Sequence, residues 1–148
     1  MALESLKKLF KRDLNRLKTE IELYTSEKNM WIIDKEISNS AGNLCLHLIG
    51  NLNAYIGVGL ANSGYIRNRE LEFADKNIPK ELLLKQIEDT ISVVEIGLNT
   101  LTESRMHTDF PLVIWDTPTE MEYTLIHLLT HLNYHLGQIN YHRRLFDK

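Results

Sequence analysis

The amino-acid sequence reads as an all-α protein, with four amphipathic helices packed as one bundle. Three features carry that expectation. Apolar residues recur at helical spacing over four long stretches. Polar connections marked by glycine or proline separate the stretches. No alternating strand pattern of useful length, internal repeat or low-complexity tract breaks the series. The 148 residues fit one domain, taken as 1–148, and suffice to bury a core without staples.

In the first stretch Leu3, Phe10, Leu17 and Tyr24 recur with Leu6, Leu14 and Ile21 beside them, and charged residues fill the opposite face. The segment "SNSAGN" (Ser38 to Asn43) offers cap residues for a second helix carrying Leu44, Leu48, Leu52 and Tyr55. Gly57, Gly59 and Gly64 mark its expected end. Ile78-Pro79 opens a third helix with Leu83, Ile87, Val94, Leu98 and Leu101 on its apolar face. The fourth start has the strongest signature: Thr117 as N-cap, Pro118 in the first helical position and Glu120 as the capping-box partner. "DFPLVIWD" (Asp109 to Asp116) is a candidate short extended piece between helices. The connections after helices two and three, Ala61 to Ile78 and Thr102 to Asp116, are long enough to permit a crossover or to carry a lid.

Composition limits the setting. Net charge is −3 with histidine neutral, so no basic field invites nucleic acid or an anionic membrane. The single cysteine, Cys45, excludes an intrachain disulfide and suits a reducing compartment. The N-terminal stretch is charged throughout and lacks the apolar region of a signal peptide. No uncharged apolar run of membrane-spanning length is expected. These readings predict a soluble cytoplasmic protein.

Histidine is distributed unevenly. Four of the six, His127, His131, His135 and His142, fall between Thr124 and Leu145. Residues four apart on a helix are neighbours, so His127, His131 and His135 form one stripe. It borders the apolar arc of Met121, Leu125, Leu128, Leu132, Leu136 and Ile139, with His135 nearest the arc and His127 farthest out. Two imidazoles at that spacing can address one cation, but a zinc-type site needs more than two ligands. His47, in "GNLCLHLIGN", borders the inner face of the second helix and is a further candidate. Three histidines from two facing helices would leave coordination positions open. His127 fits a ligand, an outer-shell group or an exposed residue. His142 fits a helix-dipole role, and His107 has no evident partner. Cys45 reads as packing, Trp31 and Trp115 as anchors of loop against bundle. Asn43, Asn51 and Gln138 are candidates for orienting ligands or substrate. Arg67 and Arg69 belong to a charged loop that either shapes access to the bundle mouth or is simply solvated.

"HLNYHLGQI" (His131 to Ile139) and "HLIGN" (His47 to Asn51) together resemble the two metal-ligand motifs of the DinB/YfiT-like superfamily of metal-binding four-helix bundles. "SNSAGNLCLHLIGNLNAYIGVGL" and "RNRELEFADKNIPKELLLKQI" are similar to an uncharacterised DinB-like branch with a GN-x3-HL-x-GN signature. The resemblance runs from about Trp31 to Phe146 and implies metal ligands at His47, His131 and His135, with none at His127. It also implies a homodimer, in which the heptad-like first helix is expected to take part. Leu136 stands where many relatives have Arg, so an anion or thiol-carboxylate contact from that position does not carry over. Better-known superfamily members resemble thiol-dependent transferases or isomerases.

A divalent ion on three imidazoles lowers the pKa of a bound water or thiol and polarises a carbonyl. That suits a chain without a convincing Ser-His-Asp arrangement. Zinc or nickel is the first expectation, and imidazole also suits copper and iron. Two function classes remain. One is a metal-dependent enzyme acting on a small molecule, as a transferase using a low-molecular-weight thiol or as a hydrolase. The other is a non-catalytic metal-binding stress or interaction protein.

Overall fold

The computed structural model describes residues 1–34 and 36–148, and it is all-helical. In chain order α1 is Ala2–Leu23, α2 Ala41–Leu52, α3 Val58–Ala61, α4 Arg69–Ala74, α5 Lys80–Asn99 and α6 Met121–Phe146. A π turn, Asn53–Gly57, joins α2 to α3, and 3-10 turns occupy Glu27–Trp31 and Glu103–His107. Helix α1 packs on α5 and α6, and α2 packs on α4, α5 and α6.

All seven periodic apolar residues of the first stretch, from Leu3 to Tyr24, are buried within the chain. Each such side chain contributes roughly 1.5–3 kcal/mol relative to exposure. Polar pins fix α1 against α6. Buried Asp13 accepts from Asn133 Nδ2 at 3.0 Å, and Glu20 accepts from Asn140 Nδ2 at 2.7 Å and from Arg143 Nε at 2.8 Å.

Ser40 caps α2, its hydroxyl accepting from the Asn43 amide at 3.2 Å. The expected end falls between Gly59 and Gly64, past the first two of the three glycines. The chain stays helical through the π turn and ends at Asn62, whose φ of 51° is the left-handed conformation that asparagine tolerates. Gly59 serves instead as a contact point, since a Cβ there would stand 3.2 Å from the Phe110 ring. The expectation that no apolar run reaches membrane-spanning length is also corrected. Ala41–Ala61 is long and apolar enough, and most of it is buried by protein, with Leu44, Leu48, Leu52 and Ile56 in the core. An innermost bundle helix passes the same compositional test as a membrane span.

Among the described residues six α-helical segments form where four were expected. The π turn divides the second helix, and the long connection after it holds α4, where the Asn68 side chain accepts from the Leu71 amide at 3.3 Å. The start of α6 differs as well. Thr117 caps nothing, and the helix begins at Met121. The Phe110 amide donates to Thr119 O, and the Met121 amide donates to Thr108 O, both at 2.8 Å. This strap, an isolated antiparallel bridge at Asp109 and Glu120, holds the would-be first turn extended. Beyond it the helix follows its periodicity, and the whole expected arc from Met121 to Ile139 is buried.

His142 is a core residue. Its Nε2–H donates to Ile32 O at 2.9 Å, which leaves Nδ1 to accept from the Tyr24 hydroxyl at 2.6 Å. Burial holds its pKa below the ordinary 6.5. The unfolded chain therefore takes up more protons than the folded one as pH falls below about 6.5, and stability is lost through that window. Urea midpoints should fall between about pH 7.5 and about pH 5.5, and His142→Gln should narrow the drop while lowering stability at both values.

Candidate metal centre

The α2–α6 contact brings together the three histidines singled out from sequence. His131 and His135 lie one turn apart on α6, and His47 faces them from α2. The Nε2 atoms of His47 and His131 are 3.1 Å apart. One ligand-competent atom from each of the three residues lies within 4.8 Å of the other two. His47 is buried, and the other two are partly buried.

Two of the rings are oriented by hydrogen bonds. His47 Nδ1 is 3.0 Å from Glu72 Oε1, and a carboxylate can only accept, so Nδ1 carries the proton and the Nε2 lone pair turns to the centre. His135 Nδ1 is 2.7 Å from Gln138 Oε1, which directs its Nε2 in the same way. Two imidazole lone pairs facing each other repel unless a proton or a cation lies between them. Nitrogens bound at about 2.1 Å to one ion stand about 3.0 Å apart at a right angle and about 3.4 Å apart at a tetrahedral one. The observed 3.1 Å falls within that span, and the all-imidazole donor set suits a borderline divalent ion. His131 Nδ1 is buried without a partner among the described residues. Burial holds the His47 pKa low against the opposing pull of Glu72. Burial, aided by His135 and His47, brings His131 down to about 4. Both rings are thus neutral at pH 7, as ligation requires.

Glu72, on α4, is the site residue that sequence reasoning missed. It is buried, and Arg67 grips it with Nε on Oε2 at 2.8 Å and Nη2 on Oε1 at 3.0 Å. Arg67 also lies over the Tyr55 ring. The carboxylate fits because residue 50 is glycine, since a Cβ there would overlap Glu72 Oε2. Of the three expected orienting amides, Gln138 touches a histidine directly. Asn43 acts one step away: its Nδ2 donates to Glu72 O and Asp75 O, both at 2.9 Å, and so ties α4 to α2. Among the described residues Asn51 makes no such contact, and its Oδ1 is buried unpartnered.

His47 and His131 open onto a cleft of about 260 Å³ that is walled by Tyr55, Arg67, Arg69, Trp115 and His127. His127 stands outside the trio, edge-on to Trp115 at 4.9 Å between centroids. His135 opens into a separate cleft of about 490 Å³ with Gln138, Tyr134 and Tyr141. His107 sits at the surface with its Nδ1 3.7 Å from Glu120 Oε1. Cys45 is fully buried and its thiol is pushed up to about 12, so it is packing as expected. Trp31 stacks on α2, where a Cβ on Gly42 would come within 2.6 Å of its ring.

Residues 2–148 match the model of DUF1572, a protein family of unknown function, and the chain belongs to that family, which lies in the DinB-like superfamily. No curated protein matches it.

Gly50→Ala should displace Glu72 and cost about 1–3 kcal/mol, as overpacked core sites do. Gly137→Ala, with nothing within 4 Å of the added carbon, should be neutral or stabilising. Thermal melts of the two variants compare them directly, and the His47 imidazole nitrogen shifts should move only in the first.

Proposed function

We propose that His47, His131 and His135 hold one divalent metal ion, zinc or nickel first, and that the protein is a metal-dependent enzyme acting on a small molecule. The observation that carries the reading is the 3.1 Å approach of two neutral Nε2 atoms, one of them aimed by a buried carboxylate. We take residues 1–148 as one DinB-like four-helix-bundle domain of α1, the α2–α3 unit, α5 and α6, in a soluble cytoplasmic protein without nucleic-acid or membrane partners. A divalent ion bound there supplies Lewis acidity and lowers the pKa of a coordinated water or thiol. That chemistry serves a hydrolase or a transferase using a low-molecular-weight thiol. The chain's own part is to orient His47 through Glu72 and His135 through Gln138, to keep His47 and His131 neutral by burial, and to seat the substrate beside them. An open cleft on His47 and His131 favours catalysis over a closed, purely structural or storage site.

Elemental analysis and titration calorimetry test the ligand set. His47→Ala, His131→Ala and His135→Ala should each lose stoichiometric metal with helicity retained. His127→Ala should keep it, and Glu72→Gln should weaken binding about 10–100-fold. If His131→Ala binds as wild type while His127→Ala loses the ion, the site lies one turn earlier on α6. Stoichiometric metal with no turnover in thiol-transfer or hydrolysis assays would favour the non-catalytic reading.

The homodimer belongs to the same proposal, with its surface moved. The periodic apolar residues of α1 are spent inside the chain and leave Leu23 exposed at its end, whereas Tyr123, Ile126, Tyr134, Tyr141 and Leu145 leave an exposed stripe along α6. By the 100° helical step Tyr123, Tyr134 and Tyr141 lie within about 20° of one line. A second copy presents the same stripe, so a two-fold pairing is self-complementary. Light scattering at micromolar concentration should give twice the chain mass, and Tyr134→Glu should give the monomer.

A further inference from the structure

The metal centre borders two clefts of different character. The one on the His135 side includes an acidic residue, Glu36, and two exposed tyrosines, Tyr134 and Tyr141. The one on the His47 and His131 side has no Asp or Glu among its lining residues. It carries two guanidinium groups in a chain whose net charge is −3. Arg67 is neutralised, since both oxygens of Glu72 accept from it. Arg69 is exposed and has no carboxylate or hydrogen-bond partner among the described residues, so its charge is available to the cleft. Tyr55 and Trp115 supply flat apolar walls, and His127 adds a further nitrogen. A cleft of one sign with low-dielectric walls focuses its field and raises the local concentration of the opposite charge.

From this we infer that the His47–His131 cleft is the substrate entrance, and that it takes a small anionic molecule whose carboxylate or phosphate pairs with Arg69 while its other end reaches the three histidines. Guanidinium presents a planar fork of donors that matches either group. The placement is independent of Leu136: the anion-binding charge comes from the connection between α3 and α5, not from α6. The inference rests on the three-histidine reading for the reacting end of the ligand, but anion capture by Arg69 is measurable without metal.

The chain's two tryptophans make the test direct, because Trp115 lines this cleft and Trp31 packs elsewhere, on Gly42. Nitrogen-15-labelled protein, metal-free and zinc-loaded, is titrated with succinate and with glycerol phosphate, and with their neutral counterparts succinamide and glycerol. At least one anion should move the Trp115 indole signal in both metal states and leave Trp31 in place. Its neutral counterpart should bind at least about tenfold more weakly. Arg69→Glu should weaken the anion by about tenfold or more, with zinc still bound in the wild-type stoichiometry. Succinate and glycerol phosphate distinguish the carboxylate and phosphate classes. The inference is overturned if neither anion moves Trp115 in either metal state, or if Arg69→Glu binds anions as wild type does. Failure of zinc to bind, with anion shifts intact in the metal-free protein, would instead count against the three-histidine reading.

Discussion

A carboxylate taken out of water must have its lone pairs met, or burial costs more than the fold can offset. Glu72 satisfies that condition with Arg67 on both oxygens and His47 Nδ1–H on one. Each partner is thereby fixed in turn. His47 is confined to one tautomer, Arg67 is drawn across Tyr55, and the short helix α4 is held against α2 with help from Asn43. Gly50 lets the two helices come this close. Loss of the carboxylate would free the His47 ring and leave Arg67 uncompensated at the edge of the core. The geometry of the three-histidine centre therefore depends on a residue that touches only one of its members.

The four histidines on α6 show how position around one helix sets chemical character. His142 turns fully inward and is satisfied by a hydroxyl and a carbonyl, so it stabilises the neutral core and has no free nitrogen. His131 and His135 sit at the border of the buried arc, where each ring can present a nitrogen to a shared centre, and burial keeps His131 neutral. His127 lies farther out and meets Trp115 and the cleft. Burial alone would have selected His142, and exposure alone would have selected His127. The border is where metal chemistry is feasible.

The long connections supply what the helices cannot. The segment after α3 brings Arg67, Arg69 and Glu72 to the site, and the loop before α6 brings Trp115. The backbone strap at Asp109 and Glu120 sets where that second loop ends, by holding Thr119 extended and delaying the helix to Met121. A capping signature is a local preference of about 1 kcal/mol, and two good backbone hydrogen bonds to a neighbouring segment outweigh it.

The sequence by itself determined the features that repeat at short range. The buried face of α1, the Ser40 cap, the apolar arc of α6 and the pairing of His131 with His135 all follow from helical periodicity, which is a property of a dozen neighbouring residues. His47 was legible as an inward histidine, and its motif paired it with the other two through resemblance to the superfamily. Tertiary structure decided the rest. Glu72 is 25 residues from His47, and Tyr24 is 118 from His142. Neither pairing leaves a periodic trace, because a hydrogen bond needs only that two atoms meet. Gly50 looked like any helical glycine until α4 was laid over it, and Arg67 and Arg69 were alike in sequence until one of them was neutralised by Glu72. Local spacing fixes which face a side chain takes, and only the packing of distant segments fixes what that face meets.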